Sequence, residues 1–155
     1  MRRSFFALPL LLAFVGCGGG DDGNGATPTA PEGTVAVIQN VSVPTIVAAV
    51  PAADPTLGWQ VAWTVEAREV AGVSARVDVL QVTIADRQVL QWNGSQVAAA
   101  VGSSSIPANG TLRIPLTLIY SLPNGGRAAN VTTTLTCVDS RNNILVNSSQ
   151  IRILE

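Results

Sequence analysis

From Thr34 to the C-terminus the apolar residues recur with period two, and no segment sustains the 3.6-residue period of an amphipathic helix. A period of two sends alternate side chains to opposite faces of an extended strand, so one face can be buried while the other meets water. Val35, Val37, Val41 and Val43 alternate in a first strand and form its apolar face. Pro44, Pro51 and Pro55 confine the next segment to an edge or a loop, because proline cannot donate to a ladder. Trp59, Val61, Trp63 and Val65 share one face of the following strand, with Gln60, Thr64 and Glu66 opposite.

The remaining strands are separated by turn residues. Ala71-Gly72-Val73 leads into residues 75–84, where the apolar parity shifts between Val79 and Leu80; such a shift inside one strand predicts a β-bulge. Residues 89–92 form a shorter strand that ends in the turn pair Asn93-Gly94, followed by a Ser-rich loop. Asn109-Gly110 opens a strand in which Leu112, Ile114, Leu116, Leu118 and Tyr120 alternate, with Pro115 on the outward parity of an edge or bulge. Asn124-Gly125-Gly126 turns the chain into a strand whose Val131, Thr133, Leu135 and Cys137 share a face, and Asn142-Asn143 closes a hairpin onto residues 144–154. Seven or eight short strands at this spacing predict an all-β, antiparallel sandwich.

Composition agrees. The chain has 47% hydrophobic and only 12% charged residues, against about 25% charged in ordinary domains, as expected where Thr, Ser, Asn and Gln cover the solvent faces. It has no lysine and no histidine, and its formal net charge is −1. A basic footprint for nucleic acid is therefore missing, as is a polybasic patch for anionic lipid.

The N-terminus reads as an address. Arg2 and Arg3 precede an apolar stretch over residues 5–15, which is shorter than the roughly 20 residues that cross a bilayer and fits the core of a signal peptide. It ends in Phe14-Val15-Gly16-Cys17, which resembles the lipobox of bacterial lipoproteins, with Phe14 where leucine is usual. The resemblance implies a signal peptide over residues 1–16, cleavage before Cys17 and lipid on that cysteine. Gly18, rather than aspartate, after the cysteine leans towards the outer membrane in a Gram-negative envelope. Residues 18–33 are rich in Gly, Asp, Asn, Thr and Pro and are expected to form a flexible, disordered linker, with a root-mean-square reach of roughly 20–25 Å. Asp21-Asp22-Gly23-Asn24-Gly25 lacks the spaced ligands of a calcium loop and reads as solvated linker.

The domain over residues 34–155 resembles bacterial immunoglobulin-like or fibronectin III-like modules. The resemblance rests on the Trp-rich early strand running to Glu66, on Gly72-Val73-Ser74, on the approach Ile106-Pro107-Ala108-Asn109-Gly110-Thr111, and on the closing hairpin from Thr136 to Asn143. It departs from antibody domains in two places. Cys137 has no partner cysteine on the early strand, and the tyrosine-corner position two residues before it is Leu135.

Reactive chemistry is thin. Cys137 lies on an apolar face, where a thiol is a small hydrophobe with a raised pKa. Ser103-Ser104-Ser105 has neither histidine nor lysine to activate it. Glu66 and Glu69 have opposite parity, and Asp78, Asp86 and Asp139 are scattered, so no calcium cluster is evident; Glu66, Glu69, Asp78 and Asp86 read as surface charge rather than as a glycosidase pair. Trp59 and Trp63 are expected in the core. Trp92, beside Gln91 and Asn93 at a strand end, is the candidate ligand platform, for sugar stacking, although core packing or partial burial is favoured there too. The expectation is a non-enzymatic, cofactor-free and metal-free lipoprotein of the cell envelope. Cys17 is its membrane attachment and an envelope protein its partner; the alternative is a carbohydrate-binding module at the cell surface.

Overall fold

The computed structural model describes residues 30–123 and 125–155. Among them are ten strands: β1 (Ile38–Val43), β2 (Ile46–Ala48), β3 (Val50–Pro51), β4 (Trp59–Glu69), β5 (Ala75–Ile84), β6 (Arg87–Asn93), β7 (Ser105–Ile106), β8 (Thr111–Tyr120), β9 (Ala129–Asp139) and β10 (Ile144–Leu154). A 3-10 turn, Pro55–Leu57, precedes β4, and one helix, α1 (Gly94–Val101), lies between β6 and β7. The strands form two sheets. In the first, β4 pairs with β8 on one side and with β1 and β3 on the other; in the second the order is β2-β10-β9-β5-β6, with β7 beside β5. All pairings are antiparallel except β2 with β10.

The alternation explains this arrangement. Val61, Trp63, Val65 and Ala67 of β4 and Leu112, Ile114 and Leu116 of β8 are buried on the inner face of the first sheet. Val131, Leu135 and Cys137 of β9, with Val77, Leu80 and Val82 of β5, oppose them from the second. Two inner faces of this kind bury a shared core about 10 Å thick. The bulge expected in β5 is present: Val77 pairs with Cys137 and Val79 with Thr136, leaving Asp78 over. Pro115 lies exposed on β8, which among the described residues pairs only with β4 and is an edge strand.

Two expectations about the secondary structure are corrected. In the first strand the valines face outward: Val37 is 50% exposed and Val41 45%, whereas Ala36, Ile38 and Ser42 are buried. The register follows polar contacts across the open side of the sandwich. Asn40 Nδ2 donates to the carbonyls of Thr133 (3.0 Å) and Asn147 (3.1 Å), and Ser42 Oγ lies 2.7 Å from Ser149 Oγ. A one-residue slip would turn these groups into solvent and leave two carbonyls of the second sheet without them.

The second correction is α1, which occupies a stretch read as turn and Ser-rich loop. Asn93 is its N-cap: its side chain accepts from Gln96 N at 2.9 Å, while Gln96 Oε1 accepts from Asn93 N at 2.9 Å. That reciprocal pair is a capping box. Gly102, at φ 83°, closes the other end by donating to Ala98 O. Val97 is fully buried, pinning the helix over β5, β6 and β8.

Candidate functional site

Registers along β4 define two poles. Glu69 pairs with Ile38 at one end, and Trp59 pairs with Tyr120 at the other. They are separated by eleven-residue β4, about 33 Å of extended chain.

The Glu69 pole holds the entering chain. Glu69 has no exposed surface, which corrects the expectation of a surface charge. Its Oε1 accepts from Val37 N (3.2 Å) and Ala71 N (2.7 Å), and its Oε2 from Gly72 N and Asn109 N, both at 2.9 Å. Burial raises its pKa, but the amides of Asn109, Ala71, Val37 and Gly72 outweigh burial and hold the carboxyl below its usual range. Asp139 is also buried. It accepts from Ala36 N, Arg141 N, Asn143 N and Asn143 Nδ2. Burial works against its ionisation, yet the donors of Asn143, Ala36 and Arg141 bring its pKa down to about 2. Arg141 completes the strap by donating to the carbonyls of Thr34 and Pro31, and Ala30 packs against the core. Contacts with the domain thus begin ahead of Thr34.

These carboxylates give the fold an acid limit. A group whose pKa is depressed on folding contributes stability above its unfolded value and loses it as pH falls through the folded one. For Asp139 that window runs from 3.8 down to about 2. The thermal midpoint is expected to be flat above about pH 5 and to fall steeply below pH 4, with a shallower fall in Asp139→Asn. A midpoint in the wild type that does not move between pH 5 and pH 2.5 would remove this account.

The opposite pole carries a concavity of about 330 Å³ lined by Pro51, Gly58, Trp59, Ser121, Leu122 and Gly125. Trp59 is half-buried at its rim rather than enclosed in the core, whereas Trp63 is only 4% exposed. Trp59 Nε1 makes a long hydrogen bond, 3.4 Å, to Gly125 O, and the Arg127 guanidinium lies 5.6 Å from the indole centroid. Arg127 is held from below, because Tyr120 Oη donates to its carbonyl. Tyr120 is buried, which raises its pKa, while the Arg127 charge opposes the rise. A tyrosine at the end of β8 thus pins the β8–β9 loop.

The other singled-out residues are spread over the fold. Trp92 is half-buried, in register with Leu80 and packed against the core, so protein already covers part of its indole. Cys137 is a buried free thiol, pushed up to about 11 by burial and then by the Asp78 charge. Glu66 pairs with Arg113 at 2.9 Å, and Asp86 sits in the β5–β6 turn at φ 63°. Ser103 Oγ accepts from Ser105 N within its own turn. Among the described residues no three His, Cys, Asp or Glu side chains come together as a metal group. Cys17 and the Asp21–Gly25 stretch lie outside the described residues.

No protein-family model matches the chain, and no curated protein matches it by sequence. Solved structures do resemble it. A crystal structure described as that of an ApaA protein from Bordetella pertussis aligns at TM-score 0.56 and 16% identity, over 81% of this chain and 95% of that one. An X-ray structure of a structural-genomics target aligns at 0.54 and 10% identity, over 76% and 84%. The CARDB domain of a Pyrococcus furiosus protein, solved with di-metal ions, gives 0.47 and 10%, over 77% and 89%. At these identities what is shared is architecture, and the chain is a small β domain with an immunoglobulin-like antiparallel sandwich fold.

Proposed function

We propose that the chain is a lipid-anchored, non-enzymatic interaction module of the cell envelope, tethered through Cys17 and presenting the Trp59 pole to a protein partner. The observation that carries this reading is the polarity of the domain. The entering segment is strapped by Glu69, Asp139 and Arg141 at one end, and the concavity lies at the far end of β4. A linker attached at the strapped end leaves the other end free to face away from the membrane. Lipid suits such a tether, since each buried CH₂ is worth ~0.8 kcal/mol and two or three chains hold firmly where one binds reversibly. The carboxylates support a binding role rather than catalysis, because Glu69 and Asp139 are spent on backbone amides and Glu66 on Arg113.

The anchor is tested by labelling cells with palmitate. Wild-type protein is expected to carry label and to sediment with membranes. Cys17→Ser is expected to lose the label and to appear in the soluble fraction; label that survives the substitution overturns the anchor. The interaction surface is tested by placing a photo-crosslinking residue at Leu122 or, as the strapped-pole control, at Asn142, in the native envelope. Adducts are expected from Leu122 and not from Asn142. A blank result at Leu122 defeats the reading.

A further inference from the structure

We infer that the concavity at the Trp59 pole binds the carboxyl end of a peptide whose last side chain is aliphatic, with Arg127 as the carboxylate receptor. This rests on the reading of that pole as the partner-facing end. Arg127 stacks on Trp59 and forms no ion pair among the described residues, where Glu66 takes Arg113. Its placement is fixed at two points: the backbone carbonyl by Tyr120 Oη and the guanidinium by the indole. A guanidinium without an acid partner keeps N–H donors for an anion, and its fork matches a carboxylate in bidentate geometry. Because the side chain is already ordered, little rotamer entropy is lost when an anion arrives.

Arg127 borders the concavity through Trp59, which lines it, and the concavity selects what accompanies the carboxylate. Pro51 and Leu122 offer apolar walls, and Ser121 stands among them. The volume, about 330 Å³, is at the low end of the roughly 300–1,000 Å³ typical of ligand pockets. It suits one aliphatic side chain with its terminal group rather than several units of a polymer. A pyranose ring stacking on the indole would have to share it with the guanidinium, which lies 5.6 Å from its centroid. A polyanion or an anionic bilayer would need a cluster of cations, whereas this pole offers Arg127 on a chain of net charge −1.

The test uses the full chain in neutral detergent micelles and tetrapeptides ending in leucine, supplied as free acids and as C-terminal amides. Titrations are followed by the indole N–H and arginine Nε–H resonances in NMR spectra. The free acid is expected to shift the Trp59 and Arg127 signals, leave those of Trp63 and Trp92 in place, and bind at least tenfold more tightly than the amide. Arg127→Gln is expected to erase the preference for the acid, and Arg127→Lys to retain part of it; unchanged Trp63 and Trp92 signals report that both variants fold. Equal binding of acid and amide, or no shift with either, overturns the inference. So does a hexuronate oligosaccharide that shifts these signals when the peptides do not. If crosslinking from Leu122 persists in Arg127→Gln while wild-type protein shows no acid preference, the carboxylate assignment fails and the interaction reading stands.

Discussion

Glu69→Ala is expected to cost about 3–5 kcal/mol, the largest effect of any single side chain considered. The substitution leaves four backbone N–H groups without their acceptor: those of Val37, Ala71, Gly72 and Asn109. Each buried unsatisfied donor costs about 1–3 kcal/mol, although the loops can open and admit water, so the four do not add in full. Against a total stability of roughly 5–15 kcal/mol for a domain, this is enough to leave part of the population unfolded at 37 °C. Glu69→Gln separates charge from shape. It keeps one carbonyl oxygen for a pair of amides but turns an NH₂ towards the others, so it is expected to fall between wild type and alanine. Urea denaturation checks both, with the midpoint moving and the slope nearly constant. An alanine variant within about 1 kcal/mol of wild type would mean that the strap is held by the apolar contacts of Ala36 and Ile38 instead.

That prediction turns on a residue whose importance the sequence hides. Glu69 sits one step past a clear alternation, and composition gives no reason to bury it. Its acceptors are used by amides 2, 3, 32 and 40 residues away, and only the folded chain brings them together. The strands themselves were legible because burial on one face is a local, repeated signal. β4, β8 and β9 carry it over ten or eleven residues each, and even the β5 bulge left its mark as a change of parity. The first strand misled because its inward face is set by Asn40 and Ser42 meeting Ser149, more than a hundred positions away. Hydrogen bonds over that separation have no period to detect. Helix α1 spans eight residues with a single fully buried side chain, too short for its period to show, yet Asn93 and Gln96 had the spacing of a capping box. The concavity is the least legible feature. It joins Pro51, the Gly58-Trp59 pair and the β8–β9 loop, three segments that share no sequence pattern, whereas Trp92 stands out in the sequence because its polar neighbours are adjacent in the chain.

The geometry of that concavity makes Gly58→Ala the second large effect, expected at about 2–5 kcal/mol. Gly58 has φ +95°, and a Cβ built there would stand 2.5 Å from the carbonyl oxygen of Tyr120 and 3.0 Å from Ser121 Cβ. Two costs combine. An L-residue at positive φ costs about 1–2 kcal/mol, and forcing a methyl group into packed backbone costs typically 1–3 kcal/mol more. Gly72→Ala separates them, because Gly72 also has positive φ, +77°, but its nearest atoms lie 3.5 and 3.6 Å from the added Cβ. It is expected to show the conformational cost alone, about 1–2 kcal/mol. Hydrogen exchange then locates the damage. In Gly58→Ala, protection is expected to fall at Ala52 N, which donates to Gly58 O, and along the Trp59–Tyr120 end of the β4–β8 ladder, while Ala71, Gly72 and Asn109 keep theirs. Since Tyr120 also orients Arg127, the same variant should weaken any ligand held by that guanidinium without loosening the strap at the other pole. Equal destabilisation by the two alanine substitutions would show that the close approach to Tyr120 is relieved at no cost, and that the floor of the concavity is softer than its packing implies.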